Sequence, residues 1–375
     1  MPRCTNIAPN RSRATTWRAT LHPQLLMCLL LSMLAACGAF SPAPAPTATP
    51  QVKELVLYNW SGYMPQSVLD AFTAEYGIKV TYLVYGSQEE AISSIKAGKE
   101  YDVVIMGHEF IPAMIADSLL APIDFQNVAN FKNISANFRD PIFDRNNRHT
   151  VPFLWGTTGL IARTDLLKQP LTSWSDLWDT RYAGKVGMWP IPRDVIGIAL
   201  KSLGYSANSE NPRELEAALK QLLKLKSNMF FFDPDAESSA PLLIKGKATL
   251  AYGWSYDAFA AMKESDKIAY VLPKEGALLW GDNLVIPANS PRKQAAELFI
   301  NFILRPEISA KIVNELYYAS ANEMSTPLID PALRNNPVIF PSNDALKNAE
   351  MALPLSPEGK KLYDDIWQRF MAAHS

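Results

Sequence analysis

All three cysteines of this 375-residue chain, Cys4, Cys28 and Cys37, fall within its first 37 residues. The remainder therefore has no disulfide, no thiolate metal site and no cysteine nucleophile. Histidine is nearly as scarce. Of the four, His22 lies in the leading segment and His374 is next to last, so only His108 and His149 remain for chemistry. No Gly-x-Ser-x-Gly elbow, Gly-x-x-x-x-Gly-Lys-Ser/Thr loop, Gly-x-Gly-x-x-Gly turn or His-Glu-x-x-His helix occurs, which leaves the motif-bearing enzyme classes without support. No basic run remains beyond the leading segment, so nucleic acid is not an expected partner. His108 is followed by Glu109, but a lone His beside a Glu is more often a packing pair than a catalytic dyad. No catalytic residue, metal site or cofactor is expected.

The leading segment is itself informative. Arg3, Arg11, Arg13 and Arg18 form a basic region without an acid, and residues 25–34 (LLMCLLLSML) are apolar but too short to span a bilayer with ease. Together they read as an export signal. Leu34-Ala35-Ala36-Cys37 resembles a bacterial lipobox, which implies a signal peptide over 1–36 and acylation of Cys37. The Pro/Ala/Thr run SPAPAPTATP at 41–50 is a stiff tether within 37–53. The formal net charge is −1, and removing the signal with its four arginines leaves a mildly acidic body.

That body reads as α/β. Residues 65–76 have helical apolar spacing (Val68, Leu69, Phe72, Tyr76) and stop at Gly77. Residues 78–85 alternate as a strand, and Ser87-x-x-Glu90 has the form of a capping box opening a helix to Ala97. YDVVIM at 101–106 is a buried strand, followed by a helix over 111–120. Strands alternating with helices predict mostly parallel sheets covered on both faces. Residues 151–162 (VPFLWGTTGLIA) suit a strand that crosses between domains and is interrupted at Gly156.

Further elements are expected as helices at 174–178, 195–203 and 212–225 and strands at 185–189 and 249–254. Residues 282–287 read as a returning strand, with a helix over 293–303 behind it. The sum is a two-lobed clamshell with several hinge crossings: an N-terminal lobe of 54–156 plus 281–326 and a C-terminal lobe of 157–280 plus 327–375. Ligands of open α/β sheets sit beyond the carboxyl ends of strands.

Those strand ends carry aromatics beside carboxylates. Trp60, Ser61 and Tyr63 follow the first strand. Trp254-Ser255-Tyr256-Asp257 ends another, Trp280-Gly281-Asp282 begins the return crossing, and Tyr317-Tyr318 lies further on. Aromatic faces offset the dehydration of an ammonium by roughly 2 kcal/mol each when water is excluded, and carboxylates neutralise its charge. Singly, Asp257 could serve a helix dipole, Asp282 a turn and the tryptophans a core. Jointly they suggest a box for an organic cation.

At this point a family pattern emerges. Tyr58-Asn59-Trp60-Ser61-x-Tyr63, Pro152-Phe153-Leu154-Trp155-Gly156, Thr172-Ser173-Trp174-Ser175-Asp176-Leu177-Trp178, Leu203-Gly204-Tyr205-Ser206, Pro273-Lys274-Glu275-Gly276 and Asp282-Asn283-Leu284-Val285-Ile286-Pro287-Ala288-Asn289 occur in that order. From about residue 54 onward the chain resembles the periplasmic spermidine/putrescine-binding proteins of bacterial ABC importers, type II solute-binding proteins. The resemblance implies that Trp60, Ser61 and Tyr63 line the cleft. It implies further that Trp254 and Trp280 stack on the methylene chain, that Asp282 binds one ammonium and that Tyr318 closes the site.

Asp194 falls where the family usually has Glu. The Trp254-x-x-Asp257 spacing resembles the putrescine-selective branch, which gives Asp257 the second ammonium. Departures lie at Gly62, Gly107, Glu109, Ile191 and Ala352, with Glu109 and His108 as further candidates at the pocket's edge.

The resulting expectation is a monomeric, lipid-anchored periplasmic protein, not an enzyme. It would capture a polyamine, putrescine in preference to spermidine, and pass it to the permease of an ABC transporter. The alternatives are ferric iron on Tyr317 and Tyr318, another organic cation, or a sensory or adhesive surface lipoprotein.

Overall fold

The computed structural model describes residues 52–233 and 238–373. The signal segment, Cys37, nearly all of the tether and His374 lie outside the described residues. Among those described, no helix is long and apolar enough to cross a membrane.

In chain order the body runs β1 (Glu54–Asn59), α1 (Gln66–Tyr76), β2 (Lys79–Val84), α2 (Gln88–Lys96), β3 (Val103–Gly107), α3 (Ile111–Ala116), β4 (Thr150–Arg163), β5 (Val186–Met188) and α4 (Pro192–Ser202). It continues with α5 (Pro212–Leu225), β6 (Met229–Phe231), α6 (Ala240–Ile244), β7 (Leu250–Trp254), α7 (Ser255–Glu264), β8 (Ile268–Val271) and β9 (Leu278–Val285). The last elements are α8 (Lys293–Ile303), α9 (Pro306–Leu316), β10 (Ala319–Ser320), α10 (Pro331–Arg334), β11 (Glu350–Met351) and α11 (Pro357–Ala372).

The strands form one mixed sheet in the order β2-β1-β3-β9-β4-β7-β5-β6, with β8 and β10 added to β4 and β11 to β9. Its two ends are parallel (β1 with β2 and β3; β5 with β6 and β7), while the middle, from β3 through β9 and β4 to β7, is antiparallel. The long β4 and β9 thus carry the hydrogen-bonded path from one parallel end to the other.

The inner strands β1, β3 and β5 of the parallel ends are largely buried, and their sequences are correspondingly apolar, whereas the edge strand β2 carries Lys79 and Thr81 and leaves Leu83 and Val84 exposed. On β1 and β3, Leu55, Leu57, Val103 and Ile105 join one core with Phe72, Phe153 and Phe299, whereas Tyr58, Val104 and Met106 join a second with Tyr85 and Ile111. The far end of the sheet has its own large core, including Leu160, Trp174, Met188, Leu222 and Tyr252. The last helix, α11, seals it with Tyr363, Ile366 and Phe370 at helical spacing. Sequence periodicity had not placed that helix or α9.

Local chemistry explains most element ends. Gly77 closes α1 at φ 68°, a left-handed cap that glycine accepts without strain. Ser87 caps α2 by accepting from the Glu90 amide at 3.1 Å, but the Glu90 carboxylate reaches past it to the Gly86 amide, so the expected capping box is only half closed. The helix after β3 stops at Ala116 instead of 120, and residues 174–178 form a 3₁₀ turn.

One expectation is corrected outright. β4 is unbroken at Gly156, and its register shifts between Pro152 and Trp155 instead. Gly156 faces Trp280 across the ladder, and a Cβ there would sit 2.3 Å from Trp280 Cζ2. The glycine makes room for an indole; it does not interrupt the strand.

Candidate functional site

β1 ends in a reverse turn closed by a Tyr63 amide to Trp60 carbonyl bond of 3.4 Å, with Gly62 at φ 67°. Gly62 lets the turn be this tight. The turn leaves Ser61 exposed, drives Trp60 edge-on against Tyr85 (4.6 Å between centroids) and sinks Tyr63 to 5% exposure. From there the Tyr63 hydroxyl donates to Asp282 Oδ2 at 2.8 Å. Asp282 reaches that point because β9 pairs with β3, Asp282 opposite Gly107.

Around this bond the aromatics close ranks. Tyr318 is their hub, with ring centroids 4.7 Å from Tyr63, 4.3 Å from Tyr256 and 5.8 Å from Trp280. Tyr256 lies nearly parallel to Trp254 (10°, 6.0 Å), and Trp254 packs on Trp189 at 5.2 Å. The chain leaves α9 through Tyr317 at φ 64° and enters β10, whose pairing of Ala319 with Trp155 holds Tyr318 in place. Trp189 was not singled out from the sequence, although it directly follows β5, the signal that located the others.

The aspartates differ in kind. Burial pushes the Asp282 carboxyl up to about 7, opposed by the Tyr63 hydrogen bond and helped by the charge of Glu109. Asp194, in the first turn of α4, is also pushed up to about 7, by burial first and by Glu109 second, with Arg193 pulling the other way. Among the described residues neither carboxylate has an ion-pair partner within salt-bridge distance. By contrast Asp102 and Glu297, both fully buried, are each paired with a cation and with further donors. These two buried acids carry their countercharges with them, whereas buried Asp144 is held by the His149 amide and the Thr150 hydroxyl.

Asp257 has hydrogen-bond partners of its own. It is 2% exposed, and its two oxygens accept from the Ser238 hydroxyl and from the Ser239 amide (3.0 Å) and hydroxyl at the start of α6. Three protein donors thus share its two oxygens.

His108 is 2% exposed, with its ring set against the carbonyls of Gly281 and Ala352, and Glu109 is half-buried beside it, Oε2 3.4 Å from Nδ1. Gly107 leaves room for the Glu109 and Gln88 side-chain ends, which a Cβ there would meet within 2.9 Å and push aside.

Tyr317 and Tyr318 diverge. Tyr317 packs on Phe259 and meets Lys263 Nζ at 2.6 Å, away from the Tyr318 cluster. Burial and neighbouring phenols and carboxylates hold Tyr318 well above the usual tyrosine range, and among the described residues no group of three or more His, Cys, Asp or Glu is placed to bind a metal. Adjacent tyrosinates converging on ferric iron do not form.

The model of the bacterial extracellular solute-binding proteins matches residues 67–341. The chain belongs to that family. It is a substrate-binding transport protein and not an enzyme. It is similar to the spermidine/putrescine-binding periplasmic protein of Escherichia coli K12, 32% identical over 90% of this chain and 97% of that one. Among solved structures, this solute-binding protein superposes on the spermidine/putrescine ABC transporter substrate-binding protein of Streptococcus pneumoniae. The TM-score is 0.77 and the identity 29%, covering 85% of this chain and 98% of the other. A lipoprotein of Treponema pallidum matches with TM-score 0.76 at 25% identity, over 84% and 99%. These neighbours share the two-lobed α/β architecture.

Proposed function

We propose that this protein captures a linear polyamine, putrescine in preference to spermidine, between Asp282 and Asp194 and against the rings of Trp60, Tyr63, Trp254, Trp280 and Tyr318. It then delivers the ligand to an ABC importer. The observation that carries this reading is the Asp282 carboxylate, held by Tyr63 at 2.8 Å among aromatic rings and pushed up to about 7, with no ion-pair partner among the described residues. A carboxylate so placed gains most from an ammonium, which supplies the missing countercharge in a dry site.

The second ammonium goes to Asp194. The sequence had favoured Asp257, but its oxygens are engaged by Ser238 and Ser239. Asp194 and Asp282 both feel the charge of Glu109, which puts them around one volume. Glu109 itself leans on His108, so two carboxylates remain for two charges, the count of a diamine.

In this reading Tyr63, Asp282 and Tyr318 come from the lobe of 54–156 plus 281–326, Asp194 and Trp254 from that of 157–280 plus 327–375, and closure brings them onto the ligand. Ser61, being exposed, shapes the turn. Acylation of Cys37 and the tether keep the body on the periplasmic side of a membrane, within reach of the permease, as a monomer. Native mass spectrometry of the purified protein with equimolar putrescine, cadaverine, spermidine and spermine tests the choice: a dominant one-to-one putrescine adduct is expected, and a dominant spermidine adduct would overturn it.

A further inference from the structure

Tyr317 stands in a backbone conformation that its side chain does not favour. It ends α9 at φ 64° and ψ 25°, its amide closing the cap on the Val313 carbonyl at 2.9 Å. Such a cap is ordinarily glycine or asparagine, because a Cβ crowds the following carbonyl in the left-handed region. The other non-glycine residues with positive φ among those described are Ser118, Asp140, Asn146 and Asn147, all short, polar and suited to it. Tyr317 is the bulky member of that set, so contacts elsewhere must hold it.

Those contacts come from α7. The Phe259 ring lies 5.1 Å from the Tyr317 ring at 57°. Lys263, one turn on, places Nζ 4.4 Å from the Tyr317 ring centroid and donates to its hydroxyl at 2.6 Å. Ala310, Val313, Ile329 and Leu333 form a small buried cluster against which Phe259 and Tyr317 pack. Tyr256 precedes Phe259 by three residues and Lys263 by seven, the spacing of one helical face, and Tyr256 meets Tyr318 at 4.3 Å. One stripe of α7 thus grips two consecutive residues, Tyr317 outside the pocket and Tyr318 within it.

The backbone at residue 317 decides where Tyr318 goes, since on the other side Ala319 is already fixed by pairing with Trp155. We infer that Tyr317 is a positioning residue: clasped by Phe259 and Lys263, it holds the corner between α9 and β10 in the left-handed form and so keeps Tyr318 against Tyr63 and Trp280. Its own ring takes no part in the aromatic cluster of the pocket. In the two-lobed polyamine reading above, α7 belongs to one lobe and the 317–318 corner to the other. The effect on ligand rests on that reading: the clasp also ties the lobes together, and breaking it frees Tyr318 and the ligand at once. The placement of Tyr318 does not rest on it.

Variants of the purified full chain test both parts. Tyr317→Gly accepts the left-handed backbone without strain but removes the clasp, and Phe259→Ala removes it from the other side. Tyr317→Phe keeps the ring and is the conservative control. In protein carrying 3-fluorotyrosine, the Tyr318 ¹⁹F resonance, assigned by its loss in Tyr318→Phe, is expected without ligand to shift in Tyr317→Gly and in Phe259→Ala. In Tyr317→Phe, compared through the same resonance, it is expected to stay in place. Tyr317→Gly and Phe259→Ala are expected to bind putrescine, cadaverine and spermidine about tenfold more weakly, with faster dissociation, the size of effect that a residue coupled to a site exerts. The factor should be common to all three ligands because the Tyr317 ring lies outside the pocket. Tyr317→Phe should stay within about threefold of the wild type, the loss of one exposed hydrogen bond. The double variant should lose no more than either single one. An unmoved resonance in Tyr317→Gly and Phe259→Ala, or additive losses in the double variant, would overturn the inference. If the wild type binds no polyamine, the polyamine reading fails and the resonance alone decides the role of Tyr317.

Discussion

Tyr63 and Asp282, 219 residues apart in sequence, meet in a hydrogen bond of 2.8 Å that joins the turn after β1 to the strand β9. The bond favours the ionised carboxylate, while burial opposes it more strongly and sets the group near 7.

Removing the hydroxyl should therefore raise the carboxyl further. Tyr63→Phe is expected to shift the acid limb of putrescine binding to higher pH and to weaken binding at pH 7 by about tenfold. Calorimetric titrations between pH 5.5 and 8 read both effects.

The same raised group has a consequence for stability. The folded pKa of Asp282 lies above its unfolded value of 3.8, so its favourable contribution is complete below that value and is lost as pH rises through about 7. Asp282→Asn without ligand should unfold at a higher temperature than the wild type at pH 8, by on the order of 2 kcal/mol once partial exposure is discounted. The two should converge at pH 4. An advantage independent of pH would contradict the assignment.

Asp257 and Asp194 should separate fold from site. Asp257→Ala removes an acceptor from three donors at the start of α6 and is expected to cost roughly 1–3 kcal/mol in thermal or urea unfolding. Asp194→Ala removes a carboxyl raised by burial as Asp282 is, so it is expected not to lower unfolding stability above pH 7 and to weaken putrescine by a hundredfold or more, the effect of one lost buried ion pair.

Gly156 offers a steric test. With a Cβ 2.3 Å from Trp280 Cζ2, Gly156→Ala must displace the indole or the strand, at about 1–3 kcal/mol. Binding of every polyamine should weaken together, accompanied by a change in tryptophan fluorescence.

Much of this was legible in the sequence because it is local. Helices with strong periodicity, such as 212–225, match the observed span, and aromatics at strand ends located Trp60, Tyr63, Trp254 and Trp280. What stayed hidden depends on partners far along the chain. Asp257 was legible as a first-turn acid, but its donors, Ser238 and Ser239, lie 18 or more residues upstream with nothing local to announce them. His108 looked like half of a surface pair because its acceptors are carbonyls of Gly281 and Ala352, and carbonyls carry no sequence signature. Gly156 was read as a breaker, when its meaning comes from the indole across the ladder.

The deciding measurement is isothermal titration of ligand-free protein with putrescine at pH 7.5, run beside Asp282→Asn. Micromolar or tighter binding, about −8 kcal/mol or better, that disappears in the variant is the expected result. Absence of heat in protein shown to be folded, or equal affinity in the variant, would contradict the aromatic and carboxylate site described above.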